Sequence, residues 1–124
     1  MPAIRDLMST AIVEAEPQTS VTEAAATMVA AGVGAAVVMQ GSFLAGILTE
    51  RDVLRAAASG QNLSACAVAD WMTPDPESAS PEATAEEAAQ IMLLHGFRHL
   101  PIVEGKQVCG VVSLRDLFAA RIRR

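Results

Sequence analysis

The chain repeats itself at a fixed offset of 64 residues, and this internal repeat limits its fold more than any other feature. Residues 1–60 align with 65–124 without a gap, and the matches include glycine, proline, acidic residues and methionine as well as alanine. The matched pairs include Asp6 and Asp70, Met8 and Met72, Pro17 and Pro81, Gly32 and Gly96, and Gly46 and Gly110. Self-similarity at a constant period indicates a duplicated structural unit. We therefore divide the chain into two repeats, 1–62 and 63–124.

One repeat alone would be only marginally stable, because a domain of about 60 residues buries a small fraction of its surface. We expect the two repeats to form one domain with approximate two-fold symmetry. The chain is 52% hydrophobic, but its apolar runs are broken before the roughly 18 residues that a membrane helix needs. The start lacks the features of a secretory signal, so we expect no membrane association and a cytoplasmic location. A net charge of −5 disfavours nucleic acid as a partner.

Two S/T-x-x-E capping boxes predict where the first helix of each repeat begins. Ser20 and Glu23 form one box, and Thr84 and Glu87 form its counterpart. Apolar residues follow each box at helical spacing, up to a glycine placed where a left-handed C-cap belongs. These glycines are Gly32 and Gly96.

Beyond each glycine, two apolar runs flank a turn at Gly41 or Gly105 and predict a β-hairpin. A second amphipathic helix follows each hairpin. Residues 11–13 predict a short strand before the first helix, whereas their counterpart 75–77 is poor strand material because it contains proline and acidic residues. Each repeat therefore predicts the order strand, helix, strand, strand, helix, which is an α+β fold.

A hydroxyl and a carboxylate recur at the predicted start of the second helix in each repeat. These pairs are Thr49 with Asp52 and Ser113 with Asp116. A helix N-terminus suits a phosphate, and a nearby carboxylate suits the hydroxyls of a ribose. The same residues also form a good helix cap, so capping alone is the alternative interpretation.

With these motifs the chain resembles a pair of cystathionine-β-synthase (CBS) domains, an arrangement called a Bateman module. The resemblance covers nearly the whole chain and rests on residues 6–8, 70–74 and 92–103 together with the two hydroxyl-and-carboxylate segments. It implies β-α-β-β-α repeats with two clefts between them. It also implies a regulatory adenosine-containing ligand, such as AMP, ADP, ATP, NAD or S-adenosylmethionine, and no cofactor.

The resemblance also implies which residues bind the ligand in each cleft. The first set is Thr49, Asp52, Thr73, Phe97, Arg98 and His99. The second set is Ser113, Asp116, Thr10, Val13, Val33, Gly34 and Ala35. Because Arg98 and His99 can meet a phosphate through charge-assisted hydrogen bonds, the first cleft is the better candidate for a nucleotide.

Metal and thiol chemistry find little support in the sequence. His95 and His99 are four residues apart, but Gly96 is expected to end the helix between them, so they need not share a face. We place His95 in the core. Cys66 and Cys109 lack a CxxC partner and are expected to be free thiols. The cations at the end of the chain, Arg121, Arg123 and Arg124, are expected to form a solvated helix end.

The sequence shows no nucleophile paired with a base, so it does not suggest an enzyme. Two functional hypotheses remain. The first is a stand-alone regulatory module that binds an adenosine-containing ligand and reports it to a client protein that the sequence does not identify. The alternative is a structural dimerisation module with vestigial clefts. The resemblance implies a homodimer in both cases.

Overall fold

A computed structural model of the chain describes residues 2–122, so Arg123 and Arg124 of the predicted helix end lie outside the described residues. The fold consists of two compact units. Residues 13–76 form the first, which we name the central unit. Residues up to 12 together with those from 77 onward form the second, which we name the terminal unit. No helix among the described residues is long and apolar enough to span a lipid bilayer.

The central unit contains a four-stranded sheet and two α-helices. Its elements are β1 (Glu14–Ala15), α1 (Val21–Ala31), β2 (Ala35–Gln40), β3 (Phe43–Thr49), α2 (Glu50–Ala58), a 3-10 turn (Val68–Asp70) and β4 (Thr73–Pro74). The strand order is β1-β2-β3-β4. Strand β1 runs parallel to β2, and the β2–β3 and β3–β4 pairs are antiparallel.

The terminal unit repeats this plan with a shorter sheet. Its elements are a 3-10 turn (Ile4–Asp6), α3 (Ala85–His95), β5 (His99–Glu104), β6 (Gln107–Ser113) and α4 (Leu114–Ile122). Single bridges flank the β5–β6 hairpin where the central unit has full strands: Ser9 pairs with Val111 and Ala79 pairs with Ile102. The predicted α+β repeat of strands and helices is confirmed in its helices and hairpins.

The first strand of the central unit, β1, begins later in the sequence than predicted. We expected it at residues 11–13, but the paired residues are Glu14 and Ala15, which align with Val37 and Val38 of β2. Val13 and Ala15 are buried while Glu14 is exposed, so the alternating burial required of a strand begins at Val13. The prediction followed local apolarity and missed this pairing.

The helix ends agree with the sequence prediction because they depend on local chemistry. The hydroxyl of Ser20 accepts a hydrogen bond from the Glu23 amide at 3.1 Å, but the Glu23 side chain does not accept one from the Ser20 amide, so the predicted box is only half formed. Thr84 and Glu87 form a reciprocal capping box, with bonds of 3.1 Å and 2.9 Å. The expected glycine ends the helix in both repeats, and Gly96 has a left-handed φ of 72°. Glycine adopts this conformation without the steric cost of a Cβ atom.

Removal of the Thr84 hydroxyl is expected to destabilise the terminal unit. Thr84→Ala leaves the Glu87 amide without its side-chain acceptor, so we expect a loss of about 1 kcal/mol in the free energy of unfolding. Urea denaturation measures the change. Thr84→Ser keeps the hydroxyl and serves as the control; equal losses in the two variants would show that the cap is not the cause.

Two methionines explain why a glycine interrupts the apolar run of β3 and of β6. The side chain of Met72 lies where a Cβ atom at Gly46 would be, and Met8 takes the same position over Gly110. Met8 thus packs on a strand that is far away in sequence but belongs to the same unit. The predicted repeats, 1–62 and 63–124, are units of sequence and stay a prediction, whereas the compact units each combine segments of both repeats.

The N-terminal segment is attached to the terminal unit by ion pairs, by a buried side chain and by backbone hydrogen bonds. The guanidinium of Arg5 contacts Glu82 at 2.6 Å and Glu104 at 3.3 Å. The hydrogen bond to Glu82 raises the pKa of Arg5. Because the pairs are exposed, we assign most of the attachment to the fully buried Ile4 and to backbone hydrogen bonds from Ile4 and Arg5 to the carbonyls of Ala83 and Pro81.

Each unit has its own hydrophobic core beneath small helix residues. The central core contains Val13, Ala15, Ala24, Met28, Ala36, Val38, Leu48 and Val68. The terminal core contains Ile4, Ala88, Met92, Leu100, Ile102 and Val112. The predicted core position of His95 is wrong: this residue is exposed and stacks on Phe97 with ring centroids 5.3 Å apart. His95 is the last residue of α3 and lies beyond the helical turn that contains the buried Met92.

Candidate functional site

The first predicted hydroxyl-and-carboxylate pair forms a closed corner where β3 meets α2. We name Thr49–Asp52 the central corner. The amide and hydroxyl of Thr49 donate hydrogen bonds to Oδ2 of Asp52 at 2.9 Å and 3.0 Å. The Asp52 amide in turn donates to Oγ1 of Thr49 at 3.3 Å. This reciprocal cap holds the carboxylate in one position at the helix start.

An arginine occupies the other oxygen of the Asp52 carboxylate. Nη1 of Arg55 donates to Oδ1 of Asp52 at 3.0 Å. The guanidinium also lies over the ring of Trp71, with 5.5 Å from its central carbon to the ring centroid, which is within the range of a cation–π interaction. Trp71 also contacts the central core. Arg55 was not among the predicted site residues, although its position three residues after an acid is a signal for such a pair.

The second predicted pair forms a more open corner where β6 meets α4. We name Ser113–Asp116 the terminal corner. The Ser113 amide donates to Oδ2 of Asp116 at 2.8 Å, and the Asp116 amide donates to Oγ of Ser113 at 3.1 Å. Among residues 2–119, whose side chains are described, no cation pairs with Asp116. The position equivalent to Arg55 is Ala119, which cannot form such a pair.

The predicted cations adjoin the terminal corner. His99, the first residue of β5, pairs directly with Ser113 of β6. The carbonyl of Arg98 accepts a hydrogen bond from the Leu114 amide at 3.0 Å. Arg98 is exposed and Phe97 is half-buried against the terminal core. The terminal unit therefore brings together residues that the sequence analysis divided between its two sets.

The same geometry recurs in the central unit with residues that carry no charge. Ala35 pairs directly with Thr49, and the Gly34 carbonyl accepts a hydrogen bond from the Glu50 amide at 3.0 Å. Val33 precedes them and contacts the central core. The association of Arg98 and His99 with Thr49 and Asp52, implied by the resemblance, stays a prediction.

The remaining predicted site residues lie at strand edges within each unit. Thr73 pairs with Ile47 of β3, on the same strand as Thr49. Thr10 is exposed and directly follows Ser9, the residue that bridges to Val111 of β6. Val13 is buried, and its carbonyl accepts a hydrogen bond from the Val37 amide at 2.9 Å. Val13 can therefore offer packing but not this carbonyl to a ligand.

The helix amides offer less to a phosphate than the sequence suggested. In the terminal corner the amides of Leu114 and Asp116 are already bonded to Arg98 and Ser113. In the central corner the amides of Glu50 and Asp52 are bonded in the same way. A phosphate beside either corner would gain from a side-chain cation, and the backbone of Arg98 adjoins the terminal corner.

Neither metal binding nor a disulfide is visible in the part of the chain that the structure describes. No group of three or more His, Cys, Asp or Glu side chains among these residues could hold a metal ion. His95 ends α3 and His99 begins β5, so the two do not share a helix face. Cys66 is buried and Cys109 is partly buried, and both are free thiols, as expected.

Comparison with known proteins identifies the repeated unit. The family model of the CBS domain matches twice, at residues 4–59 and 68–123. The CBS domain-containing protein YhcV of Bacillus subtilis is 36% identical over 118 residues, which cover 94% of this chain and 84% of that protein.

Solved structures show the same fold. A putative signal-transduction protein with CBS domains from Burkholderia ambifaria superposes with a TM-score of 0.91 at 27% identity, covering 98% of this chain and 95% of that chain. The CBS domain pair of protein MJ0100, solved in complex with 5'-methylthioadenosine and S-adenosyl-L-methionine, gives a TM-score of 0.90 at 20% identity, covering 99% and 98%. The chain therefore belongs to the CBS domain family and contains two copies of that domain.

Proposed function

We propose that this CBS pair is a cytoplasmic regulatory module that binds an adenosine-containing ligand, such as AMP, ADP, ATP, NAD or S-adenosylmethionine. The observation that carries the proposal is the terminal corner, where the carboxylate of Asp116 and the backbone of Arg98 meet at one helix start. The ligand would act by favouring one conformation of the module, in proportion to its different affinities for the two states. We propose no reaction for the protein.

The chemistry of the terminal corner suits the two polar parts of a nucleotide. Oδ2 of Asp116 is fixed by the Ser113 amide, which leaves Oδ1 to accept a hydrogen bond from a ribose hydroxyl. Arg98 is exposed and carries a fork of donors that matches the oxygens of a phosphate. Ribose and phosphate would therefore be recognised by neighbouring residues of one unit.

A structural relative supports the choice of ligand class. The CBS pair of protein MJ0100 binds 5'-methylthioadenosine and S-adenosyl-L-methionine, and both contain adenosine. Because its identity to this chain is 20%, the relative supports the class of ligand and not the particular molecule. Whether the module prefers a nucleotide, a dinucleotide or a sulfonium compound would depend on the charge of the ligand group that lies next to Arg98.

Native mass spectrometry of protein taken directly from its expression host tests the proposal. We expect a fraction of the protein to carry a bound mass that matches an adenosine-containing molecule, and release in acid would identify it by chromatography. A protein that carries no such mass, and that retains none of the five named ligands when each is supplied at about 1 mM, would count against the proposal, since that concentration detects binding as weak as about −4 kcal/mol.

A homodimer is the second part of the proposal, and exposed apolar residues on the helices support it. Val29 and Leu93 occupy equivalent positions in the two repeats and are 81% and 79% exposed. Leu54 and Phe118 form a second equivalent pair, at 70% and 63%. Large apolar side chains that are exposed on the helices of each unit are typical of an interaction surface. If the corners bind nothing, this surface favours the alternative function, a structural dimerisation module.

A charge placed on this helix surface is expected to weaken the dimer. Leu93→Glu would bury an unpaired carboxylate in the contact, so we expect sedimentation equilibrium to show at least a tenfold increase in the dimer dissociation constant, a cost of about 1.4 kcal/mol or more. Gln90→Glu adds the same charge at another exposed position of α3 and is the control. A wild-type monomer, or equal dissociation of both variants, would contradict a helix-mediated dimer.

A further inference from the structure

We propose that Arg55 is an intramolecular competitor that holds the central corner closed to ribose, so that the two corners of the module bind ligand in sequence. This inference rests on the proposed function and adds its regulation. It assigns a role to the pairing of Asp52, Arg55 and Trp71, which neither the helix cap nor the hydrophobic core requires.

Both carboxylate oxygens of the central corner already accept hydrogen bonds. Oδ2 of Asp52 accepts two hydrogen bonds from Thr49, and Oδ1 accepts one from Arg55 at 3.0 Å. The side chain of Asp52 is only 9% exposed. A ribose diol would donate hydrogen bonds to an acceptor of this kind, and Arg55 already donates one to it. A ribose diol at this corner would therefore compete with the Arg55 guanidinium for Oδ1.

Arg55 is placed to leave the carboxylate without disturbing the fold. Its side chain is 58% exposed, so water can solvate the guanidinium once it is released. Trp71 provides a second contact for the released cation, because the guanidinium already lies 5.5 Å from the ring centroid. A displaced Arg55 can keep its interaction with the ring while Oδ1 becomes available. These contacts describe a latch that opens rather than a permanent structural bridge.

The terminal corner lacks both the arginine and the tryptophan of this latch. At the position of Arg55 it has Ala119, and at the position of Trp71 it has Leu7. Among the residues with described side chains, no cation pairs with the carboxylate of Asp116. A ligand of one chemistry would thus fill the terminal corner at low concentration and the central corner only at higher concentration. The module would respond over a wider range of ligand concentration than two equal sites allow.

The test titrates wild type and Arg55→Ala with adenosine by calorimetry and by tryptophan fluorescence. Arg55→Ala gives the central corner the residue that the terminal corner has. Trp71 is the only tryptophan of the chain, so its emission reports the central unit. We expect wild type to show a fluorescence change only in the weaker of two binding steps. In the variant this step should tighten on the order of tenfold, because a charged hydrogen-bond competitor has been removed.

The ligand and variant controls separate a latch from other effects of the arginine. With 2',3'-dideoxyadenosine, which lacks the ribose diol, Arg55→Ala is expected to change neither step. Arg55→Met keeps an apolar stem without the charge and should gain affinity like the alanine variant. Arg51→Ala removes an exposed cation of the same helix turn and should leave both steps unchanged. Thermal unfolding of each variant confirms that it is folded.

The outcomes distinguish failure of the latch from failure of the proposed function. If wild type binds adenosine but Arg55→Ala leaves the fluorescence-reported step unchanged or weaker, Arg55 is not a competitor and the inference is wrong. An equal gain with adenosine and with the dideoxy compound would also refute it, because the effect would not involve the ribose. If neither protein binds adenosine, AMP or S-adenosylmethionine, the proposed function fails, and the latch fails with it.

Discussion

Gly46→Ala is expected to lower the free energy of unfolding by about 2 kcal/mol, since overpacking of a filled interior typically costs 1–3 kcal/mol. Gly46 is buried in β3 and pairs with Pro74 of β4. A Cβ atom at this position would lie 2.8 Å from the backbone carbonyl oxygen of Thr73 and would also overlap the side chain of Met72. The methionine can move aside, but the carbonyl belongs to the sheet and cannot. Urea denaturation measures the loss.

Two further variants separate the contribution of the methionine side chain from that of the backbone carbonyl to this loss of stability. Gly110→Ala is the equivalent change in the terminal unit, where the backbone oxygen of Ser9 lies slightly farther away, at 3.0 Å, so its loss should be similar or smaller. Addition of Met72→Ala to Gly46→Ala should recover only part of the loss in a double-mutant cycle. A Gly46→Ala protein within about 0.5 kcal/mol of wild type, the range of ordinary surface substitutions, would show that β4 does not approach β3 as closely as described.

Asp116→Ala is expected to weaken the binding of adenosine-containing ligands by roughly tenfold to a hundredfold, because hydrogen bonds to a charged acceptor contribute about 1.5–3 kcal/mol. Arg98→Ala should weaken AMP on the order of tenfold and leave adenosine nearly unchanged, since adenosine carries no phosphate for the guanidinium to meet. Calorimetric titration of both ligands measures the two effects. The same reasoning predicts a smaller loss for Asp52→Ala, whose carboxylate is already occupied by Arg55.

Neighbouring residues provide the controls for both changes. Arg115→Ala alters the same helix turn as Asp116 without removing a site group, and Lys106→Ala removes another exposed cation of the terminal unit. Neither should change affinity for AMP by more than about twofold, because long-range effects of exposed charges are largely screened by salt. If Asp116→Ala binds AMP as wild type does while Asp52→Ala does not, the two corners have been ranked in the wrong order.

The features that the sequence predicted well are those that depend on neighbouring residues in the chain. The caps at Ser20 and Thr84 and the glycine end at Gly96 follow from hydrogen bonds within one helical turn. The hairpins follow from apolar runs on either side of a glycine turn. The fixed offset of the repeat then doubled each signal, which is why the order of helix, hairpin and helix could be predicted for both repeats.

The features that the sequence missed depend on contacts between distant segments. The leading strand is placed by its pairing with β2 rather than by the apolarity of residues 11–13. The division of site residues into two sets did not anticipate that His99 pairs with Ser113. His95 has the spacing of a core residue but extends beyond the core. The contact of Arg55 in α2 with Trp71 joins residues that are not neighbours in the chain, so no local pattern reveals it.

Ligand-dependent thermal stability tests whether the terminal corner binds an adenosine-containing ligand, because a molecule that binds the native state raises the unfolding temperature by mass action. The panel is AMP, ADP, ATP, NAD and S-adenosylmethionine, each at increasing concentration to about 1 mM, with Asp116→Ala beside wild type. We predict that at least one ligand raises the unfolding temperature of wild type in a concentration-dependent way and that Asp116→Ala shows a much smaller rise. No shift with any ligand, or the same shift in both proteins, would contradict adenosine binding at the Ser113–Asp116 corner.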